Sequence, residues 1–238
     1  MPEKINTFEA YEKLAESYSQ MIDYKAHNAF YDRPNTLSLL PDVAGKFILD
    51  AGCGPGKYAE ILISKGADVI GVDLSEKMIQ EAQKRNKNKG DFMVHDLTKP
   101  LDFLANEKVD LVISPLVLEY IEDWNPVFKE FYRVLKPNGV FVFSINHPFF
   151  EFNYFKSDNY FATEKVKCTW TGFGFPVEIE SFRRSLTDCI EPLSNNGFFI
   201  DKILEPKPTP EFKEHDPKHY KELMAFPAFL CIRALKKG

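Results

Sequence analysis

The chain has 238 residues, a length that suits one domain or one and a half. A mean hydropathy of -0.30 and the lack of any apolar run near the ~18–20 residues of a spanning helix argue against a membrane protein. The net charge of -5 argues against broad binding to nucleic-acid phosphates, which needs a basic face. The four cysteines are far apart and the first residues are charged rather than signal-like. We therefore expect a cytoplasmic protein without a disulfide framework.

The first part of the chain alternates between helical and strand patterns. Apolar residues at helical spacing predict a helix over 7–22, and a second helix over 28–40 ends before Pro41. Helices are then predicted over 57–65, 75–86 and 126–135, and strands over 46–50, 68–73, 91–95, 109–113 and 140–145. Strands that alternate with helices are typical of βαβ units, which form a parallel sheet with helices on both faces.

The pattern changes after Ile145. Residues 147–180 have no helical period and are rich in phenylalanine and tyrosine. We interpret this segment as an inserted lid over a substrate pocket, since long irregular loops in compact domains are usually functional. The alternative is a small aromatic cluster under a long loop.

The C-terminal part predicts a helix over 181–195, a strand over 198–204, an irregular stretch from Pro206 and a last strand over 228–235. The last two strands are joined without a full crossover, so one of them should be antiparallel. The predicted fold is therefore α/β and doubly wound, with a mostly parallel seven-stranded sheet and an antiparallel last strand. We expect a single domain over 1–238, with an N-terminal helical cap over 1–40 and the lid over 147–180.

A glycine-rich loop, Asp50-Ala-Gly-Cys-Gly-Pro-Gly56, follows the first predicted strand. Such a loop lets a ligand approach the backbone, and the helix that follows offers free N–H groups. Asp73 ends the next strand, where a carboxylate can accept hydrogen bonds from both hydroxyls of a ribose. Together these features indicate a site for an adenosine-type nucleotide.

The spacing of the glycines helps to distinguish which kind of nucleotide the loop could bind. The dinucleotide fingerprint G-x-G-x-x-G requires glycine at the position of Lys57. The carboxylate of Asp50 beside the loop disfavours a pyrophosphate and suits a cationic ligand. A phosphate-binding loop of the Gly-Lys-Ser/Thr type is absent from the sequence after the loop.

The segment FILDAGCGPGKYAEILISKGADVIGVDLSEKMIQEA resembles the first half of a class I S-adenosylmethionine-dependent methyltransferase. The resemblance continues through DFMVHDL, VDLVISPLVLEYIEDW and FYRVLKPNGVFVFSINHPFF to the C-terminal FFIDKILEPKPTP, and covers nearly the whole chain from about residue 40. The layout is similar to the quinone-biosynthesis methyltransferases, which act on small molecules. The resemblance implies a Rossmann-like methyltransferase fold, S-adenosyl-L-methionine as cofactor and in-line methyl transfer at the C-terminal ends of the strands.

The resemblance also implies a set of cofactor-binding residues. They are Tyr18, Asp50, Gly52, Cys53, Gly54, Asp73, Leu74, Met78, His95, Asp96, Leu97, Ser114, Pro115 and Leu116. In this set Asp50 lies near the cofactor's ammonium group, Asp73 holds the ribose hydroxyls and Asp96 accepts the adenine amino group. Residues 114–116 border the crevice for methyl transfer, and Tyr18 closes over the methionine end.

Three residues after the fourth and fifth strands are candidates for the substrate chemistry, namely His147, Glu119 and Tyr120. Because a sulfonium donor carries an activated methyl group, positioning and exclusion of water can supply most of the acceleration, and a general base is optional. In similar proteins the residue after Val117-Leu118 is often histidine, so Glu119 is a departure. The ordinary alternatives are a histidine that caps a strand end, a solvated acid and a packing tyrosine.

We expect a small-molecule acceptor with an apolar or aromatic part, and neither a nucleic-acid partner nor a resident metal. The alternatives are a methyltransferase acting on RNA or protein, a nicotinamide-dependent oxidoreductase and a non-catalytic cofactor-binding module. His215 and His219 have the i, i+4 spacing of a metal pair, but Pro217 interrupts a helix between them. Arg184 could reach an acidic group of a substrate, but a surface salt bridge is the expected role. The oligomeric state is left open.

Overall fold

The structure of the protein, a computed structural model, describes residues 7–237. The first part of the predicted cap, 1–6, lies outside these residues, as does 238. The strands are β1 Phe47–Ala51, β2 Asp68–Asp73, β3 Asp91–Val94, β4 Val109–Pro115, β5 Leu135–Asn146, β6 Glu164–Trp170, β7 Val177–Arg183, β8 Phe198–Leu204 and β9 Phe229–Lys236. The helices are α1 Thr7–Met21, α2 Arg33–Ser38, α3 Lys57–Ser64, α4 Glu76–Asn86, α5 Asn125–Val134, α6 Pro148–Phe155, α7 Leu186–Asn195, α8 Pro210–His215 and α9 Pro217–Ala225.

Seven strands of the described chain form one sheet in the order β3–β2–β1–β4–β5–β9–β8. Neighbouring strands from β3 to β5 pair in parallel, whereas β9 pairs antiparallel with both β5 and β8. Six strands therefore run one way and β9 runs the other. This confirms the predicted α/β sheet, mostly parallel and doubly wound, with an antiparallel last strand.

Helices cover both faces of the sheet because its strands are apolar on both sides. On β1, Ile48 packs on one face with Leu62 of α3 and Ile79 of α4. The next residue, Leu49, lies on the other face in a cluster with Phe128 of α5. Because these strands are parallel, the loops after β1, β2 and β4 all lie at the carboxyl edge of the sheet. Ligands bind at this edge in sheets of this type.

The segment 147–180 has more regular structure than its sequence pattern predicted. It begins with α6, whose first turn carries Pro148 and whose N-cap is His147. β6 and β7 then form an antiparallel hairpin of their own, separate from the large sheet. The helical period of α6 was hidden because aromatic residues occupy both its packed and its exposed sides.

Three other predictions differ from the structure for local reasons. The helix predicted over 181–195 starts only at Leu186, because β7 continues to Arg183 and a capping box between Ser185 and Asp188 fixes the start. The irregular stretch predicted from Pro206 contains α8 and α9, each with a proline in its first turn. The helix predicted over 28–40 is a π-helical turn, Asn28–Asp32, that runs into α2.

The N-terminal helix α1 and the hairpin β6–β7 pack on each other above the carboxyl edge, and we call these two elements together the cover. Leu14 of α1 lies in one buried cluster with Phe173 and Ile179 of the hairpin. The Thr7 hydroxyl donates to the Glu180 carbonyl at 2.9 Å and accepts from the Glu180 amide at 3.0 Å. Through these contacts the hairpin holds α1 in place.

Candidate cofactor and acceptor site

A cavity of about 300 Å³ lies between the carboxyl edge of the sheet and α1. Most of the residues predicted for the site line this cavity. They are Tyr18, Gly52, Cys53, Gly54, Asp73, Leu74, Met78, His95, Asp96, Leu97, Pro115, Leu116 and Tyr120. The other four predicted residues, Asp50, Ser114, Glu119 and His147, are buried outside its lining.

The glycine loop turns sharply between β1 and α3 and needs glycine for two different reasons. Gly52, Gly54 and Gly56 all have positive φ, at 81°, 51° and 76°. A Cβ at Gly52 would collide with the Val117 side chain, and one at Gly56 would lie 2.6 Å from Asn86 Nδ2. A Cβ at Gly54 would meet no atom within 4 Å, because this part of the loop faces the cavity.

Asp73 ties the loop to the next βα connection. Its Oδ2 accepts from the Gly54 amide at 2.9 Å and its Oδ1 accepts from the Ser75 amide at 2.9 Å. Burial raises the pKa of Asp73, and these two amides oppose that rise. Ser75 caps α4 as predicted, and its hydroxyl donates to Glu12 of α1 at 2.5 Å. The Asp73 carboxylate is therefore fixed at the cavity wall, and the hydrogen bond from Ser75 to Glu12 holds α1 beside it.

Asp50 lies buried in β1 directly before the loop, with no solvent exposure. Neither of its carboxylate oxygens has a hydrogen-bond partner among the described residues. Burial raises the pKa of Asp50 to about 7, and the charge of Asp73 adds to the rise. An unpaired buried carboxylate is costly, so this position favours a cationic ligand group.

Tyrosine hydroxyls gather at the end of the cavity below α1. The hydroxyls of Tyr11 and Tyr120 are hydrogen-bonded at 2.8 Å, and the amide of Asn28 donates to the Tyr18 hydroxyl at 3.5 Å. The Tyr18 ring stacks on Phe173 with the ring centres 5.0 Å apart. This end is therefore apolar and aromatic at its walls, with hydroxyls as its polar groups.

A buried group from the segment before α2 also lines the cavity and was missed in the sequence. Asp32 accepts from the Tyr58 hydroxyl at 2.6 Å and from the Thr36 hydroxyl at 3.1 Å. The Arg33 guanidinium donates to the Ile22 carbonyl at 2.7 Å, and its Nε has no partner among the described residues. The available signal was a charged pair inside the helix predicted over 28–40, which is ordinarily a solvated feature.

Glu119 is buried behind the tyrosines, in the 3₁₀ turn Leu118–Tyr120 that follows β4. Its Oε2 has no hydrogen-bond partner among the described residues. Burial raises the pKa of Glu119 to about 8, and the carboxyl groups of Glu151 and Asp32 add to the rise while Arg184 opposes it. The alternative of a solvated acid is therefore wrong for this residue.

Arg184 is buried rather than in the surface salt bridge that the sequence predicted. Its guanidinium donates to the carbonyls of Ile121 and Glu122 and lies 4.1 Å from the centre of the Trp124 ring. It therefore braces the turn that carries Tyr120.

His147 and Ser114 have structural partners away from the cavity. His147 Nδ1 accepts from the Phe149 amide at 3.2 Å, which caps α6, and its Nε2 lies 3.1 Å from Glu205 Oε1. Burial lowers the pKa of His147, against the opposing effect of Glu205. The Ser114 hydroxyl donates to the Ala51 carbonyl at 2.9 Å and so joins β4 to β1.

The two histidines with metal-pair spacing belong to different helices. His215 ends α8 and stacks on Phe30, whereas His219 lies in α9 and pairs with Asp216 at 2.6 Å. Within residues 7–237, no group of three or more His, Cys, Asp or Glu side chains could hold a metal ion. The same residues contain no helix that is long and apolar enough to cross a membrane.

Comparisons with known proteins agree with this fold and glycine loop. The family described as "Methyltransferase domain" matches residues 49–143. A solved chain from Listeria monocytogenes, assigned to the S-adenosylmethionine-dependent methyltransferases, is 28% identical with a TM-score of 0.76, over 87% of this chain and 97% of that one. An S-adenosylmethionine-dependent methyltransferase from Mesorhizobium loti is 27% identical with a TM-score of 0.69, over 90% of this chain and 99% of that one.

A curated relative is the ubiquinone biosynthesis O-methyltransferase of Thiobacillus denitrificans, 36% identical over 43% of this chain and 45% of that protein. The alignments to curated O-methyltransferases thus span about half of those proteins. The fold and these comparisons support a class I S-adenosylmethionine-dependent methyltransferase. The chain is an enzyme, and its cofactor is S-adenosyl-L-methionine.

Proposed function

We propose that this methyltransferase acts on a small-molecule acceptor bound beside the cofactor, under α1. The observation that carries the proposal is the aromatic end of the cavity, where Tyr11 and Tyr18 of α1 meet Tyr120. A pocket covered by a helix in this way limits the access of water and the size of the ligand. The relative named for ubiquinone biosynthesis supports a small acceptor.

The residues of the cavity fit S-adenosylmethionine on chemical grounds. The unpaired Asp50 carboxylate suits the cofactor's ammonium group, and the side of Gly54 that is free of other atoms leaves room for the methionine part. Asp73 is placed for the ribose hydroxyls. Leu74, Met78 and Leu97 are placed for the adenine ring, with Asp96 for its amino group and His95 beside it.

We further assign Arg33 to the carboxylate of the cofactor's methionine part. Its guanidinium lies over the Tyr58 ring, with 5.9 Å between them, next to the glycine loop. The neighbouring Asp32 is held by Tyr58 and Thr36, which fixes this stretch of backbone. An arginine can bind a carboxylate through two parallel hydrogen bonds, which orients the ligand as well as holding it.

When bound, the cofactor supplies a methyl group that is already activated by a sulfonium. The protein then has to hold the acceptor in line and keep water out. Pro115, Leu116 and Val117 form the wall next to the loop, and the three tyrosines orient the acceptor from the opposite side. We assign no catalytic role to His147, because its partners are the α6 backbone and Glu205.

We propose that the cover acts as a lid over the cavity. The cap helix α1 and the hairpin of the 147–180 segment share one buried cluster, so they would open and close together. A large RNA or protein substrate would require this cover to be displaced. The four cysteines are free thiols, which fits a reducing cytoplasm.

Calorimetry with S-adenosylhomocysteine, together with release of this product during turnover, tests the proposal. Asp73→Ala removes charge-assisted hydrogen bonds to buried hydroxyls and should weaken binding by about 2–3 kcal/mol. Asp68→Ala, at the exposed start of the same strand, is the matched control and should bind normally. Equal affinity of the two variants would remove Asp73 from the cofactor site. Turnover on RNA or intact protein, with none on metabolite pools, would overturn the small-molecule proposal.

A further inference from the structure

We propose that Glu12 of α1 is a positioning residue that couples the cofactor end of the cavity to its aromatic end. Its carboxylate joins α1 to the connection between β2 and α4, and through this contact a filled cofactor site fixes Tyr11 for the acceptor. The inference rests on the proposed function, since it assigns a role within the same cavity. It is carried by the hydrogen bonds that Glu12 and Tyr11 make to two different walls from one helix.

Glu12 holds the N-terminal end of α4. Its Oε1 accepts from the Ser75 hydroxyl at 2.5 Å and from the Lys77 amide at 3.2 Å. Ser75 is the N-cap of α4, and its hydroxyl oxygen also accepts from the Met78 amide at 3.1 Å. The positive end of the α4 dipole favours a carboxylate at this place. One oxygen of Glu12 therefore fixes α1 against the start of α4.

The same connection carries residues that we assign to the cofactor. Asp73 is placed for the ribose hydroxyls and Leu74 for the adenine ring, and Ser75 follows directly in the chain. Asp73 Oδ1 accepts from the Ser75 amide at 2.9 Å, so the positions of these two residues are linked. A ligand bound to Asp73 and Leu74 would therefore restrict Ser75, and with it the hydroxyl group that donates to Glu12.

Tyr11 reaches the aromatic end of the cavity from the position next to Glu12. Its hydroxyl is hydrogen-bonded to that of Tyr120 at 2.8 Å, and its ring packs edge-on against Trp170 with the ring centres 6.1 Å apart. A helix moves as a rigid element and can carry coupling between two sites. Loss of the Glu12 contact would therefore shift Tyr11 away from Tyr120 and Trp170.

A second attachment of α1 to α4 lies near the C-terminal end of α1. Arg85 of α4 donates to the Ser19 carbonyl at 2.6 Å and to the Asp23 carboxylate at 3.0 Å. These three residues lie outside the cavity lining, whereas the attachment at Glu12 adjoins the cofactor residues. Loss of the Glu12 contact should therefore free the first turns of α1 and leave its last turn in place.

Quenching of tryptophan fluorescence by iodide tests the coupling, because the two tryptophans of the chain differ in exposure. Trp124 is 2% exposed, whereas Trp170 is half-buried beside Tyr11. The quenching constant therefore reports on Trp170. Saturation of the native protein with S-adenosylhomocysteine should lower this constant at least about twofold, because the ligand holds Tyr11 against Trp170.

Three variants separate the hydrogen bonds of Glu12 from its charge. Glu12→Ala should abolish the decrease at saturation, although it binds S-adenosylhomocysteine no more than about fivefold more weakly, since Glu12 lies outside the cavity lining. Glu12→Gln keeps an acceptor oxygen for Ser75 and Lys77 and should restore the decrease. Glu16→Ala, an exposed acid one turn later in α1, is the matched control and should behave like the native protein.

Hydrogen exchange locates the effect within α1. In Glu12→Ala exchange should be faster over 7–14 and unchanged over 15–21, where Arg85 holds the helix. The inference would be overturned by equal decreases in quenching in the native protein and Glu12→Ala, by no decrease in the native protein, or by failure of Glu12→Gln to restore it. In each of these cases binding of S-adenosylhomocysteine leaves the proposed function intact. Loss of that binding by the native protein would instead count against the proposed function.

Discussion

Substitution of Gly54 tests the role of the glycine loop in cofactor binding separately from its role in folding. A side chain at Gly54 would enter the open cavity, where the cofactor is proposed to bind, so Gly54→Val should abolish S-adenosylhomocysteine binding. The positive φ of 51° adds backbone strain of about 2 kcal/mol for a β-branched residue, a cost in stability that is separate from the loss of binding. Calorimetry should show the loss of binding, and circular dichroism should show an intact fold.

Gly56→Ala is the matched control for that prediction. Its Cβ would lie 2.6 Å from Asn86 Nδ2 and 2.9 Å from Ala82 Cβ, inside the packing between α3 and α4. This variant should lose thermal stability. If Gly54→Val binds the product normally, the loop does not contact the cofactor.

Asp50 should make cofactor binding release protons. In the free protein burial raises the pKa of Asp50 to about 7, so at pH 6 the group is largely protonated. A bound ammonium group favours the carboxylate, so its proton should leave on binding, and affinity should fall as the pH drops below 7. Calorimetry in buffers of different ionisation enthalpy measures the released protons. Asp50→Asn should release fewer, and an unchanged count would place the ammonium elsewhere.

The sequence predicted local features of the site better than contacts between distant segments. Asp73 and the glycine loop follow strands whose ends meet at one edge, so a short motif was enough. The hydrogen bond between Asp32 and Tyr58 joins two segments that are far apart in the sequence, and no motif near either residue predicts it. Glu119 and His147 were identified as polar residues that follow strands. Their burial depends on α6 and Arg184, and the sequence pattern does not predict where these lie in the fold.

At the level of elements, strands of the parallel sheet were predictable because they are short apolar runs bounded by turns. β2 and β8 have the predicted bounds, and the other sheet strands differ mostly by one or two residues. β5 begins earlier than predicted, because Leu135 already pairs with Val109 of β4, ahead of an irregularity in the register. The hairpin β6–β7 was missed since its exposed face is charged and its packed face contacts α1, a partner far away in sequence.

The cover should depend on Phe173. This side chain is 5% exposed, stacks on Tyr18 and lies 4.5 Å below Lys25 Nζ. Removing a buried phenylalanine ring costs about 3 kcal/mol, so Phe173→Ala should loosen α1 as well as the hairpin. Hydrogen exchange should become faster over 7–21 and 164–183 together.

Phe175→Ala tests whether that effect is specific to packing. Phe175 lies in the same hairpin turn but is 39% exposed, so its loss should leave exchange in α1 unchanged. In the native protein S-adenosylhomocysteine should slow exchange in both parts of the cover. Equal protection with and without ligand would mean that the cover is a fixed structural element.

Across the whole molecule, buried acids should make stability fall as pH rises. Burial raises the pKa of Asp50 and of Glu151 to about 7 and that of Glu119 to about 8, whereas in the unfolded chain these groups ionise near ~4. Between those values the folded protein holds protons that the unfolded chain has lost. Its free energy of unfolding should then decrease by up to about 1.4 kcal/mol per pH unit for each protonated group.

The clearest window for this decrease is pH 6.5 to 8. Below it, burial lowers the pKa of His27 and His147, so their ionisation in the unfolded chain gives the opposite slope. Above it, the decrease contributed by the three acids fades, because each of them becomes charged in the folded as well as the unfolded state. Urea unfolding at pH 6.5 and 8 measures the slope, which should become shallower in Glu119→Gln and stay unchanged in the exposed control Glu122→Gln. A free energy of unfolding that rises over this window would contradict the burial of these carboxyl groups.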